Sequence, residues 1–194
     1  MIIDISSYNG KINFEEMAAK EKIERVILRG TTKNGNIDVR FFENLNGVCK
    51  SLDTSVPVDV YKFSYAKTYG DAAVEAYNLI ETLKNGGAYT LINTIWLDLE
   101  AIDGKEHTKA ECEFIIAAYK SVCKEYNARL GIYCSYSYLK NLIPRWAQSL
   151  PIWLARWGAQ MGDCYPFKVQ LWQYTNKGQC AGIKGDVDLS KAVD

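Results

Sequence analysis

Apolar residues fall along this chain in two alternating patterns. Short, almost continuously apolar runs occupy residues 2–6, 25–29, 56–63, 94–99, 129–134, 151–155 and 168–174, with a shorter one at 187–189. Runs of this kind are expected of strands covered on both faces. Between the first six lie stretches whose apolar positions recur with the helical period. Asn13 followed by Glu16 resembles a capping box and predicts a helix to about Lys22. Asp38 is placed to cap a helix carrying Phe41, Phe42, Leu45, Val48 and Leu52. Asp71 or a neighbour starts a helix through Val74, Tyr77, Ile80 and Leu83, which Gly86-Gly87 stops. Thr108 and Glu111 form a second capping-box pattern, ahead of Phe114, Ile115, Ala118 and Val122. A fifth helix is expected from Ser137 to about Ser149, limited by Pro144. The stripes Phe41/Phe42/Leu45 and Phe114/Ile115/Ala118 are expected in the core.

Strand–helix alternation implies parallel strands joined by right-handed crossovers. Five such units come first, and the last three strands have connections too short for full helices. The expected α/β fold is an irregular β/α barrel: five β/α units, then about three strands that close it. A doubly wound open sheet is the competing topology, but the Gly-rich dinucleotide loop is missing after the first strand.

Composition narrows the function classes. Lys plus Arg is 23 and Asp plus Glu is 23 in 194 residues, so the formal net charge is zero. That balance argues against nucleic acid as a partner, because such binding needs many basic phosphate contacts. No apolar run reaches transmembrane length, and no Sec-type leader opens the chain. No obligate protein partner is evident. The six cysteines form no Cys-x-x-Cys pair, and His107 is the single histidine. A Cys/His zinc site is therefore not expected, and free thiols are favoured over disulfides. His107 is expected at the surface, ahead of the Thr108 helix. No metal or organic cofactor is implied.

In a parallel barrel the chemistry gathers at the C-terminal ends of the strands. Those ends carry Asp4 and Ser6, Arg29, then Tyr61, Phe63 and Tyr65, then Asp98 and Glu100. The later strands add Tyr133 and Ser135, Trp153 and Arg156, Gln173 and Tyr174, and finally Asp186 and Asp188. Asp98 and Glu100 are two residues apart on an apolar strand, so both face one way, with Cα atoms ~6.5 Å apart. Two such carboxyls oppose each other's ionisation and can split their pKa values. One can then hold a proton while the other stays anionic, the combination that glycoside hydrolysis requires. An isolated Asp-x-Glu is also compatible with a plain strand-end ion pair. The aromatics on neighbouring strand ends favour a sugar site. Trp96 and Trp172 are expected in the core, and Trp153 and Trp157 along a groove.

The motifs resemble the glycoside hydrolase family 25 lysozymes, or muramidases, over essentially the whole chain. They run in family order: Asp4-Ile-Ser6, Val26-Ile-Leu-Arg29-Gly30, Asp38-x-x-Phe41-x-x-Asn44, Tyr61-Lys-Phe63-Ser64 and Trp96-Leu-Asp98-Leu-Glu100. Gly131-Ile-Tyr133, Trp153-Leu-Ala155-Arg-Trp157, Trp172-Gln173-Tyr174 and Val187-Asp188-Leu189 follow. Two places depart from the pattern: Arg29 stands where many members carry Lys, and residues 31–36 match the usual loop poorly.

The resemblance implies one catalytic domain over residues 1–194, folded as a flattened TIM-like barrel. It implies hydrolysis of the β-1,4 bond between N-acetylmuramic acid and N-acetylglucosamine, with the peptidoglycan glycan strand as partner. Glu100 matches the family's general acid/base, Asp98 the carboxylate beside it, and Asp4 and Asp188 the two further acids. Asp186 competes with Asp188 for its place. Tyr61, Tyr133, Trp153, Gln173 and Arg29 are expected substrate contacts. Asp98 could stabilise a cationic sugar or orient a substrate acetamido group. Two other functions fit the same residues, a non-catalytic glycan-binding barrel and a chitinase-like hydrolase. Action outside the cell at the bacterial wall is expected, and the missing leader favours an endolysin type of release.

Overall fold

The computed structural model describes residues 1–160 and 166–193. Its eight strands are β1 (Ile2–Ile5), β2 (Arg25–Arg29), β3 (Val58–Phe63), β4 (Ile92–Leu99), β5 (Leu130–Ser135), β6 (Ile152–Ala155), β7 (Leu171–Gly178) and β8 (Val187–Ala192). Five helices follow the first five strands: α1 (Phe14–Lys20), α2 (Phe41–Ser51), α3 (Tyr69–Asn85), α4 (Lys109–Glu125) and α5 (Tyr136–Asn141). Each strand pairs with the next and β8 returns to β1, which closes a barrel. Strands β1 to β7 run parallel, whereas β8 is antiparallel to both its neighbours. This is the expected arrangement of five β/α units and three closing strands.

Strand alternation divides the apolar residues into two cores. The barrel interior holds Ile2, Ile27, Trp96, Tyr133, Trp153 and Leu171. The residues between them on the strands, such as Val26, Leu28, Val60, Leu97 and Leu99, face outward into a larger core shared with Leu79, Ile80, Ile115 and Ile116 of α3 and α4. The interior is crowded by two indoles. A Cβ on Gly131 would lie 2.3 Å from the Trp96 ring, so only glycine fits beside it. Trp96 Nε1 donates to Asp59 at 2.8 Å, and Arg25 closes the same carboxylate in a 2.7 Å ion pair. Trp153 packs edge-on against Trp96 and donates Nε1 to Ser190 Oγ at 3.0 Å. The lower barrel is thus a filled floor beneath the mouth.

Local chemistry sets the helix ends. Asn13 Oδ1 accepts from the Glu16 amide, and Thr108 and Glu111 cap reciprocally. Thr68, not Asp71, caps α3; Asp71 lies in the first turn and accepts from the Thr68 hydroxyl. Asp38 does not cap α2 either. The N-cap position is Arg40, and Asp38 is turned toward Arg29. The expected helix over 137–149 breaks into α5 and a 3-10 turn, Ala147–Ser149, because Pro144 interrupts the ladder. Phe42 and Phe114 are exposed, contrary to expectation, while Phe41 and Ile115 are buried. Adjacent helical residues diverge by about 100°, and in these two pairs only Phe41 and Ile115 point into the core.

The five described cysteines are free thiols, and Cys164 lies outside the described residues. Among the described residues no helix is long and apolar enough to cross a membrane.

Candidate active site

The four acids named from the sequence meet at the barrel mouth. Asp98, at the end of β4, lies between Phe63 of β3 and Tyr133 of β5 in register. Glu100 follows it just past the strand. Asp4 of β1 stands directly opposite Asp188 of β8. A cavity of about 110 Å³ is lined by these four together with Tyr61, Tyr133, Trp153 and Gln173. Every acid and four of the five contact residues expected from the sequence therefore share one pocket. Arg29, the fifth contact, lines an adjoining groove with Tyr61, Asp98 and Glu100. Trp153 is buried and still forms part of the pocket wall. Trp157 is half-exposed, with its Nε1 donating to Gln173.

Gln173 is the hinge of the pocket's hydrogen bonding. Its Nε2 donates to Asp4 Oδ2 at 3.0 Å. Its Oε1 accepts from Tyr133 Oη at 2.9 Å and from Trp157 Nε1 at 3.0 Å. The amide orientation is thereby fixed by two donors on one side and one acceptor on the other. Asp186, the competing choice for Asp188, instead accepts from Gln179 outside the pocket.

Burial raises the pKa of all four acids. Asp4 is pushed well above the usual carboxylate range by burial and by the charge of Asp188, and it hydrogen-bonds Asp188. Burial, then Glu100 and Asp4, raise Asp98, with Lys62 opposing them. Burial and the charge of Asp188 raise Glu100. Asp188 is raised by burial, offset by its bond to Asp4. Clustered buried acids of this kind share fewer protons than they have sites, and one or more stay protonated at pH values where free carboxyls ionise. Asp98 is 4% exposed, and its Oδ1 has no hydrogen-bond partner among the described residues. Glu100 is less buried than Asp98.

Several residues that hold the site were not singled out for that task in the sequence. Arg29 is gripped by Asp38, Nε to Oδ2 at 2.6 Å, and by Ser7 Oγ at 2.7 Å. Lys62 is buried behind β3 and donates to the Phe63 carbonyl, with Glu75 of α3 at 3.7 Å. Glu75 also accepts from Ser64 Oγ at 2.8 Å and the Tyr65 amide at 2.9 Å. The Ser64 amide then donates to the Asp98 carbonyl at 3.0 Å, which ties α3 to β4. His107 is a correction: it is 2% exposed, not on the surface. Its amide donates to Tyr138 Oη at 3.1 Å, and its ring lies against the Glu100 and Ala66 backbone. The Asp38-x-x-Phe41 spacing was a visible signal for Asp38. Nothing local marked Glu75 or His107.

A β/α barrel with clustered carboxylates and aromatic walls at its mouth has the groups that glycoside hydrolysis uses, and a family match places the chain among the glycoside hydrolases. Residues 3–183 match the model of glycosyl hydrolases family 25, and the chain belongs to that family. A search of curated proteins by sequence gives no significant match. Solved structures do match. The modular autolysin LytC of Streptococcus pneumoniae, in complex with a synthetic peptidoglycan ligand, is 25% identical with a TM-score of 0.81. The match covers 97% of this chain and 45% of that one, so this chain spans under half the autolysin's length. The catalytic domain of an endolysin from a Listeria monocytogenes bacteriophage shares the fold at 22% identity and a TM-score of 0.77, covering 99% and 92% of the two chains. A bacterial lysozyme from Streptomyces coelicolor does so at 21% identity and a TM-score of 0.78, covering 98% and 90%.

Proposed function

We propose that this domain is a muramidase that cleaves the β-1,4 bond between N-acetylmuramic acid and N-acetylglucosamine in peptidoglycan. The observation that carries this reading is the single pocket uniting Asp4, Asp98, Glu100 and Asp188 beneath aromatic walls. The family supports the reaction class, and the peptidoglycan ligand of the similar autolysin supports the substrate.

Glu100 acts as general acid. Its pKa is raised, so it carries a proton where an exposed glutamate would not, and it is the more accessible of the Asp98/Glu100 pair. It protonates the glycosidic oxygen as the bond breaks. Positive charge then develops on the sugar, and the acid cluster stabilises it. Asp98 Oδ1, buried without a partner among the described residues, suits a donor from the substrate such as the acetamido N–H. That contact orients the acetamido oxygen as internal nucleophile, which favours the substrate-assisted role of Asp98. An unsatisfied buried acceptor costs ~1–3 kcal/mol, and substrate binding relieves that cost. Tyr61 and Tyr133, both pushed to higher pKa by burial, remain neutral hydroxyls at the pocket wall. The site of action is the bacterial cell wall.

The test is Glu100→Gln, assayed by dye release from peptidoglycan and by mass analysis of products. The variant should fold normally and lose at least ~100-fold in turnover, the scale of general-acid catalysis. The parent should leave muramic acid at the new reducing end. A folded variant with near-parental turnover overturns the assignment of Glu100, and cleavage of chitin oligomers in preference to peptidoglycan overturns the substrate.

A further inference from the structure

Beside the acid pocket runs a groove of about 480 Å³ with different chemistry. Tyr61, Asp98 and Glu100 form the shared wall, and Tyr8, Arg29, Lys33 and Tyr65 are among the other lining residues. Its two cations are not equivalent. Arg29 is committed, held by Asp38 and Ser7 and covered by the Tyr8 ring at 4.5 Å. Lys33 is held loosely. Its ammonium lies 5.3 Å from the Tyr65 ring centroid and 3.3 Å from Asp103, and the side chains of the pair are 59% and 81% exposed. An exposed ion pair contributes little and is screened by salt, so another carboxylate can take Asp103's place at small cost.

The loops that carry this pair are built to present it. Lys33 projects from a turn closed by the Thr31–Ile37 bridge. Asp103 lies three residues after Glu100 in a turn closed by the Ile102–Lys105 bridge, at a φ of 50°. The ion pair therefore joins the β2–α2 and β4–α4 loops beside the proposed general acid. Thr31 is also among the residues lining the groove.

We infer that this groove receives the peptide stem of the muramoyl unit and that Lys33 is the contact for a stem carboxylate, with Asp103 as the internal carboxylate it displaces. The inference rests on the muramidase reading of the adjoining pocket and names how that site selects its substrate. Charge decides the placement. All four acids line the pocket and only two of them, Asp98 and Glu100, reach the groove, which also offers an exchangeable cation. Continuity decides the reach, because a substituent on a sugar seated at Asp98 and Glu100 enters the groove along their shared wall.

The test uses binding of the disaccharide-peptide N-acetylglucosaminyl-N-acetylmuramoyl peptide, which lacks the bond to be cleaved. Calorimetry compares its free-acid form with the same molecule whose stem carboxylates are methylamides. The parent protein should bind the free acid about fivefold more tightly, and high salt should shrink the difference. Lys33→Gln should abolish the preference, Lys33→Arg should restore it, and Asp103→Asn should enlarge it. Equal binding of the two forms by the parent, absence of binding, or a preference that survives Lys33→Gln overturns the inference. Turnover on peptidoglycan is measured separately. If the parent fails to cleave while the Lys33-dependent preference stands, the muramidase reading falls and the carboxylate groove remains.

Discussion

Asp4→Asn should make this protein more stable at pH 8 and leave its stability unchanged at pH 3.5. Asp4 and Asp188 are directly opposed on antiparallel strands, a geometry with Cα atoms ~5 Å apart. Two full charges at about 5 Å repel by ~3 kcal/mol at an effective dielectric constant of 20. The folded protein avoids part of this by keeping a proton on Asp4, which raises its pKa well above 3.8. Raised means that the folded state binds more protons than the unfolded chain. Stability from this group is then fully present below the unfolded pKa and is lost as pH rises through the folded pKa. Asparagine removes the titration and keeps the bonding. Its amide oxygen accepts from Gln173 Nε2, as Asp4 Oδ2 does, and its amide nitrogen can donate to Asp188. The gain at pH 8 should be ~1–3 kcal/mol, which for a chain of this size is about 2–12 °C in Tm. His107, whose pKa is lowered by burial, titrates in both proteins and cancels from the difference. Calorimetric scans at the two pH values decide the matter. A variant less stable than the parent at pH 8, or an equal gain at both pH values, refutes the reasoning.

Two further substitutions test the supports of the site. Gly131→Ala places a methyl 2.3 Å from a Trp96 ring held by Asp59 and Trp153, so overpacking should cost ~1–3 kcal/mol; an unchanged thermal midpoint would show that the indole can yield. Asp38→Ala strips the partner from half-buried Arg29 and should cost about 3 kcal/mol in denaturant unfolding, whereas a loss under 0.5 kcal/mol would mean that solvent already screens the pair.

The barrel was legible because its strands are nearly continuous apolar runs and its helices carry strong end signals at Asn13 and Thr108. Strand spacing alone puts Asp98 and Glu100 on one face and the end of the first strand nominates Asp4, whereas Asp188 was chosen over Asp186 only through the family resemblance. What escaped were polar groups whose role depends on a distant partner. Asp59 is interpretable only once Arg25 and Trp96 are folded around it. Glu75 reads as an exposed helix position until α3 packs over Ser64 and Tyr65. His107 precedes a capped helix, which suggests a surface, yet Tyr138 of α5 closes over it. Pairing across elements is a tertiary fact, and neither periodicity nor composition encodes it.

The antiparallel direction of β8 explains how four acids reach one mouth. In a parallel strand the mouth lies at the C-terminal end, as it does for Asp4 and Asp98. Asp188 is the second residue of β8, so a parallel β8 would carry it to the opposite end of the barrel. Reversing the strand brings its N-terminal end beside Asp4 and also removes the need for a crossover helix. The short connections that close the chain and the completion of the acid cluster thus have one structural cause. The repulsion this creates is local to the pocket. The large outer core of barrel and helices offsets it, because its burial does not depend on the protonation of any residue at the mouth.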